Sequence, residues 1–427
     1  MTDSKSIQEQ LAALRARIAR IRSKSAAMGG EKGCEPPLEA EGERFYHPEE
    51  FLPGREVETA AGVHFETERF YPAHKRHGSA GIGDLAALPP DILAAISANE
   101  VQDVPPFRWA FLDTETTGLA GGAGTYAFLI GVGRITPEGF SLRQFFLRDY
   151  AEEASLLTSL EEHLAQFDVL ITYNGKAYDQ PLLETRYRLA RKKPPFSRLA
   201  HVDLLFAARR LWKLRLESCR LVELEAQILG VEREGDLPGE MIPYVYFDYL
   251  RRREAFRLAP IFHHNANDIV TLACLTGIVP WAFQSPESAP LSHAAEMIGL
   301  GRWLQQAGQE EQALTLFRRA VGSPAGGRPL ADDLLFRTLW DIALLERRRG
   351  RKDAWLASLT ELASNRNSYR AKACVELAKY FEHVEKNLTM ALEMADTAYS
   401  LEPSAELRHR RARLERKLAA SATGRLL

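Results

Sequence analysis

The stretch "FLDTETTGLAGGAGTYAFLIGVG", residues 111–133, decides how the 427-residue chain is read. It runs from an apolar strand into Asp113 and Glu115, passes Thr116, Thr117 and a glycine-rich segment, and returns as a second apolar strand. On a strand, residues two apart point to the same face, so Asp113 and Glu115 share one. Two like charges held together repel unless a cation sits between them. "TYAFLIGVGRI" is apolar on both faces and belongs at the centre of a sheet. "AGGAGT", residues 120–125, joins strand to strand and lacks the lysine of a phosphate-binding loop. Its glycines are read as a tight turn that lets backbone approach a substrate.

Outward from this pair, "FSLRQFFLRD" is a third strand after the turn "TPEG", and "EEASLLTSLEEHLAQF" is an amphipathic helix. "DVLITYNG" is a strand ending in Asn174–Gly175, followed by a helix from about Asp179 to Arg191. "HVDLLFAARRLW" starts as a strand and turns helical, "RLVELEAQILG" is a helix closed by Gly230, and "HNANDIVTLACLTGIV" is a further helix. The order predicts an α/β domain with a mixed sheet and helices on its faces over residues 51–285. Residues 51–100 are read as a short mixed lead-in, and His74 and His77 as surface residues or as residues behind a site.

Residues 1–50 form an N-terminal helix and linker in this reading. Ile7, Leu11, Leu14, Ile18 and Ile21 recur at helical spacing with arginines between, which favours a docking or short coiled-coil helix over a membrane or nucleic-acid arm. Residues 286–427 read as all helix. Three helix–turn–helix units carry Ala313, Ala354 and Ala391 at spacings of 41 and 37 residues, with "SPAGGRP" as an inserted loop. These units resemble degenerate tetratricopeptide repeats. Such repeats either bind a protein partner in their groove or brace the neighbouring domain, and both readings stand.

The bulk numbers narrow the functional classes. A 45% hydrophobic and 26% charged composition is that of an ordinary globular chain. A net charge of −2 gives no global field toward polyanions, so nucleic-acid affinity has to come from local patches. "RYRLARKK", "RRLWKLR" and "RRRE" offer such patches, with Tyr173, Tyr178 and Trp212 nearby as stacking surfaces. The four cysteines are far apart and form no CxxC pair, which fits a reducing, cytoplasmic setting. No apolar run approaches the ~18 residues of a membrane span, and the charged N-terminal stretch lacks the apolar core of a signal peptide.

Four carboxylates from three separated segments are the candidate chemistry: Asp113 and Glu115, Asp179 in "YNGKAYD", and Asp268 in "HHNANDIVTL". Gathered at one sheet edge, such an all-oxygen set suits Mg²⁺ or Mn²⁺. Two ions about 3.5–4 Å apart can clamp the attacking and leaving oxygens of a phosphodiester. Asp203 ends another strand and is read as a helix cap or supporting residue rather than a fifth ligand.

"DTETTGL", "YNGKAYD" and "HHNANDIVTL" resemble, in that order, the three exonuclease motifs of the DEDD superfamily, whose fold is ribonuclease H-like. The run 113–133, with "DLPGEMIPYVYFDYLR" and "HHNANDIVTLACL", resembles the YprB-like branch over about residues 50–280. The resemblance implies metal ligation by Asp113, Glu115, Asp179 and Asp268. It places Thr116, Thr117 and Asn174 against substrate, and it implies a two-ion 3′–5′ exonuclease acting on single-stranded DNA or RNA. The family's water-activating residue is a Tyr four positions or a His five positions before the last Asp. This chain has His264 four before and His263 five before, and no Tyr in either slot. Four residues is about one helical turn, so His264 shares a face with Asp268 and is the favoured base. A catalytically weak nucleic-acid-binding module, or a ribonuclease H-like endonuclease, is the alternative to the exonuclease.

Overall fold

The computed structural model describes residues 47–97, 100–118, 124–289, 291–322 and 330–423. The expected N-terminal helix and linker, most of the glycine segment (119–123) and the "SPAGGRP" loop lie outside the described residues.

Seven strands form one mixed sheet: β1 (Gly54–Thr59), β2 (Gly62–Pro72), β3 (Trp109–Thr116), β4 (Ala127–Thr136), β5 (Gly139–Phe146), β6 (Val169–Thr172) and β7 (Ala200–Asp203). Their spatial order is β1-β2-β5-β4-β3-β6-β7. The β1–β2, β2–β5, β5–β4 and β4–β3 pairs are antiparallel, whereas β3–β6 and β6–β7 are parallel. The apolar strand β4 is central, as its composition requires. Helices α1 (Glu153–Leu164), α2 (Asp179–Leu189), α3 (Leu204–Trp212), α4 (Leu221–Leu224), α5 (Ile242–Arg252) and α6 (Ala259–Gln284) flank the sheet. This is the expected ribonuclease H-like architecture, a mixed sheet between helices.

The lead-in reading of residues 51–100 is corrected. Residues 54–72 form the β1–β2 hairpin, and β2 pairs with β5 along Phe65 to Pro72. The pattern was masked because β2 buries polar residues, His64, Glu66 and Thr67, on both faces beside Phe65. A strand that buries polar groups gives no apolar alternation to read.

One apolar cluster joins Trp109, Phe111, Phe140 and Ile269 and continues through Leu211 and Leu300 to Phe317 and Leu345. A second joins Leu112, Phe128 and Phe146 with Leu157, Leu160 and Tyr246. Fully burying one such side chain contributes about 1.5–3 kcal/mol. After α6 the chain is all helix: α7 (Ala294–Gln306), α8 (Glu310–Gly322), α9 (Asp332–Arg348), α10 (Lys352–Ser364), α11 (Arg370–Tyr380), α12 (Leu388–Leu401) and α13 (Ala405–Thr423). Successive helices pack against one another, with Gly308 (φ 81°) and Gly350 (φ 71°) turning the α7–α8 and α9–α10 pairs. Helix α7 also packs on α3, so the first core runs unbroken into the helical region.

A second correction concerns membrane-length segments. Residues Ala255–Gln284 have the length and mean hydropathy (1.4) of a span, and 72% of the apolar window is buried within the fold. The segment takes in the short turn Ala255–Arg257 and the core helix α6, whose Ile269 packs beneath β4 and whose polar first turns interrupt the apolar run.

Candidate functional site

Asp113 and Glu115 lie near the C-terminal end of β3, Asp179 is the first residue of α2, and Asp268 faces them from α6. The ladder between β3 and β4 slips at Glu115/Thr116, a bulge that leaves Phe128 without an opposite residue. Bulges re-aim side chains next to functional sites. Helix α6 comes close because β4 carries glycine beneath it: a Cβ on Gly131 would stand 2.3 Å from Asn265 Oδ1 and 2.2 Å from Ile269 Cδ1.

Asp113 and Glu115 feel the charges of the other acids, and burial raises all four. Burial, then the charges of Asp268 and Asp179, hold Asp113 well above the usual carboxylate range, against the pull of Asn265 and Arg233. Glu115 is held well above it too, by burial and then by Asp113, Asp268 and Asp179. Burial pushes Asp179 up to about 6 despite the hydrogen bond from Thr114. Asp268 is raised by burial, with Arg233 and His264 opposing. A cluster whose members each favour protonation lacks positive charge.

The local partners are specific. Asn265 Nδ2 donates to Asp113 Oδ2 at 2.9 Å and is itself fixed by Gln144, whose Nε2 donates to Asn265 Oδ1 at 2.9 Å. Thr114 Oγ1 donates to Asp179 Oδ1. Arg233, which the sequence reading did not single out, donates to Asp268, to Glu225 and, at 3.1 Å, to Asp236. His77 completes this group, with Nε2 3.2 Å from Glu225 and 2.8 Å from Thr271 Oγ1. Burial raises Asp236, but His264 and Arg233 outweigh it and bring the carboxyl below its ordinary value. As the side chains stand, no three His, Cys, Asp or Glu among the described residues converge as a ready-made metal site. The donor set still suits a hard divalent cation: four oxygen-bearing acids with too little counter-charge.

The other expected residues fall as follows. Both His263 and His264 lie inside α6. His264 Nδ1 is 2.9 Å from Asp236 Oδ2, and Nε2 is 3.6 Å from Asp268 Oδ2. His263 is on an exposed flank, where Asn267 Nδ2 meets its Nε2 at 3.2 Å. Thr116 Oγ1 donates to Gly118 O, and Thr117 Oγ1 accepts from Tyr126 N–H, so both hold the loop that begins after β3. Asn174 adopts φ 67°, a left-handed conformation that Asn tolerates. Asp203 caps α3 through Leu205 N–H and also accepts from Asn174 N–H (2.8 Å) and Lys176 N–H (3.2 Å).

The expected basic patches are tied up within the fold only in part, and Arg191, Lys193, Arg209, Lys213 and Arg251 are exposed. Arg186 pairs with Glu153, Arg188 with Glu184, Arg215 with Glu296, Arg252 with Asp248 and Arg253 with Asp149. Trp212 is buried and the Tyr173 hydroxyl is tied to Cys219 O, whereas Tyr178 is 61% exposed beside Asp179.

Comparison with known proteins agrees with this geometry. Residues 110–279, from β3 to the end region of α6, match the RNase_H superfamily. The chain is 34% identical to the uncharacterized protein YprB of Bacillus subtilis (strain 168) over 317 residues, which span 72% of this chain and 74% of that protein. With the sheet order, the strand-end acids and this shared length in view, the chain belongs to the YprB family of RNase H-like proteins.

Proposed function

We propose that the acid cluster is a divalent-cation site at which the protein hydrolyses phosphodiester bonds of single-stranded nucleic acid, as a 3′–5′ exonuclease. One observation carries this reading: on β3, burial and the charges of Asp268 and Asp179 hold Asp113 well above the usual carboxylate range, and burial with Asp113, Asp268 and Asp179 does the same to Glu115. Asp113, Glu115, Asp179 and Asp268 would hold Mg²⁺ or Mn²⁺. When bound, such ions neutralise charge on the phosphate and lower the pKa of attacking water. The chain's own residues do the rest. Asn265 fixes the Asp113 carboxylate, and Thr114 fixes that of Asp179. His264 presents Nε2 toward the acids as the proton acceptor. Tyr178, exposed beside Asp179, offers a ring for a base to stack on.

A second reading, a nucleic-acid-binding module with weak or no hydrolysis, has its own support. Arg233 takes up Asp268, and the acids among the described residues are not disposed as a ready-made ion site. The geometry as it stands favours this reading, whereas the cluster's unmet charge favours hydrolysis. The helical region would then recruit a protein partner.

The deciding experiment is cleavage of end-labelled single-stranded DNA and RNA with Mg²⁺ or Mn²⁺, beside EDTA and Asp113→Asn controls. A metal-dependent ladder that falls at least ~10³-fold in the variant is expected. Undiminished cleavage by Asp113→Asn overturns the site assignment. Binding without cleavage by the wild type establishes the second reading. Internal cutting of an end-blocked substrate would assign an endonuclease.

A further inference from the structure

Asp236 opens "DLPGEM", a stretch whose role the proposed chemistry leaves unassigned. Its carboxylate is fully engaged. Oδ1 accepts from Leu237 N–H at 2.9 Å, while Oδ2 accepts from Arg233 Nη1 at 3.1 Å and lies 2.9 Å from His264 Nδ1. Arg233 is fixed at three points: Nε on Glu225, Nη1 on Asp236 and Nη2 on Asp268. Its side chain is 5% exposed, and Glu225 beneath it is fully buried. A guanidinium is a planar fork of donors, so three carboxylates around it are held in fixed directions. Arg233 thereby ties Asp268 of the acid cluster to the carboxylate that touches His264.

We propose that Asp236, held by Arg233, is the positioning residue of His264: it accepts Nδ1–H and leaves the Nε2 lone pair directed at the acid cluster. The inference rests on the reading of His264 as the proton acceptor and deepens it. An imidazole has two nitrogens, and the one that accepts a proton is set by the bond the other makes. With Nδ1–H on Asp236, the proton from the attacking water goes to Nε2, and Asp236 remains a carboxylate that stabilises the imidazolium formed. Gly239, three residues after Asp236, lies beside Nε2: a Cβ there would stand 3.9 Å from it, in ordinary contact. His263 has no carboxylate partner of this kind among the described residues; its Nε2 accepts from Asn267. The pair Asp236–His264 therefore selects His264 over its neighbour.

The test begins with the unsubstituted, metal-free protein labelled with ¹⁵N-histidine. NMR at a pH where the rings are neutral should show His264, assigned by its loss in His264→Ala, with the proton on Nδ1. A proton on Nε2 in the wild type overturns the proposal, and this readout needs neither cleavage nor a substituted Asp236. Asp236→Ala should then mix the tautomers and lower kcat about 10–100-fold with little change in KM, the size expected when an orienting partner is removed. Asp236→Glu should restore part of both, and His263→Ala should change neither. An unchanged kcat in Asp236→Ala, in a protein whose tautomer has shifted, also overturns the proposal. Absence of wild-type cleavage would instead sink the nuclease reading, while the tautomer would still decide how His264 is held.

Discussion

Two carboxylate systems sit on opposite faces of the same sheet, and they are built to opposite rules. Glu66 on β2 faces α1 and is satisfied on every side. His64 Nε2 lies 2.8 Å from Oε1, Ser159 Oγ donates to Oε1 at 2.8 Å, and Arg143 Nε donates to Oε2 at 2.6 Å. Burial pushes this carboxyl up, but the three partners outweigh it and hold it below its ordinary value. On the α6 face, Asp113 and Glu115 are held well above theirs by burial and by the neighbouring acids Asp268 and Asp179. The fold can therefore supply a buried acid with donors where it needs to. At the ends of β3 and β6 it leaves the acids short of positive charge. Strain of that kind marks a functional site more than a structural one.

The largest stability effect expected from this contrast is at Glu66. Glu66→Ala leaves His64, Ser159 and Arg143 around a buried site without the charge that organises them. Breaking one side of a buried ion pair costs about 3–5 kcal/mol. Urea unfolding should show that loss through a lower midpoint at nearly unchanged slope. A loss below ~1 kcal/mol would mean that the network is ornamental and that the two faces differ less than their geometry suggests.

A third condition exists on the Glu66 face. His163 of α1 is 6% exposed, and neither ring nitrogen has a hydrogen-bond partner. Burial, then Arg143 and Arg134, pull it down to about 4. In the unfolded chain the ring titrates near ~6.5. Between those values the unfolded state binds a proton that the folded state refuses, so stability falls as pH drops from ~6.5 to ~4. The loss attributable to this one ring is about 2–3 kcal/mol. His163→Phe, packed beside Phe145 and Phe167, should flatten the stability profile in that window and leave it unchanged above pH 7. A profile that keeps its slope in the variant would place the acid sensitivity elsewhere.

The same contrast explains what could be read from the sequence. Asp113, Glu115 and Asp179 stood out because charge ends an apolar strand or opens a helix, whereas Asp268, read as near a helix start, lies well inside α6. The central strands β3, β4 and β5 were legible, being apolar on at least one face. The β1–β2 hairpin was not, because His64 and Glu66 occupy core positions and imitate a surface segment. Arg233 and Asp236 were also missed. They lie in an irregular stretch between helices, and only the folded chain brings them against α6. Asn265 stood in plain view in "HHNANDIV", yet its bond to Asp113 depends on Gly131 lying under α6. Interactions that need a close approach between distant segments leave no periodic signal.

The smallest expected effect has the sharpest sign. Asp113→Asn keeps the size of the side chain and leaves a carbonyl to accept from Asn265, but it removes one of the mutually repelling charges. For an acid whose folded value is raised, stability is full below the unfolded value near ~4 and is lost as pH rises toward the folded value. The metal-free variant should therefore unfold at a temperature roughly 2–4 °C above the wild type at pH 8 and at the same temperature near pH 4. Saturating Mn²⁺ should reverse the order. An ion that binds only the folded state stabilises in proportion to the logarithm of its excess over Kd, and the variant has lost one ligand. Thermal unfolding at the two pH values, with and without Mn²⁺, checks all three statements. A lower unfolding temperature for metal-free Asp113→Asn at pH 8 would place Asp113 with Glu66 as a structural acid, and the distinction between the two faces of the sheet would fall.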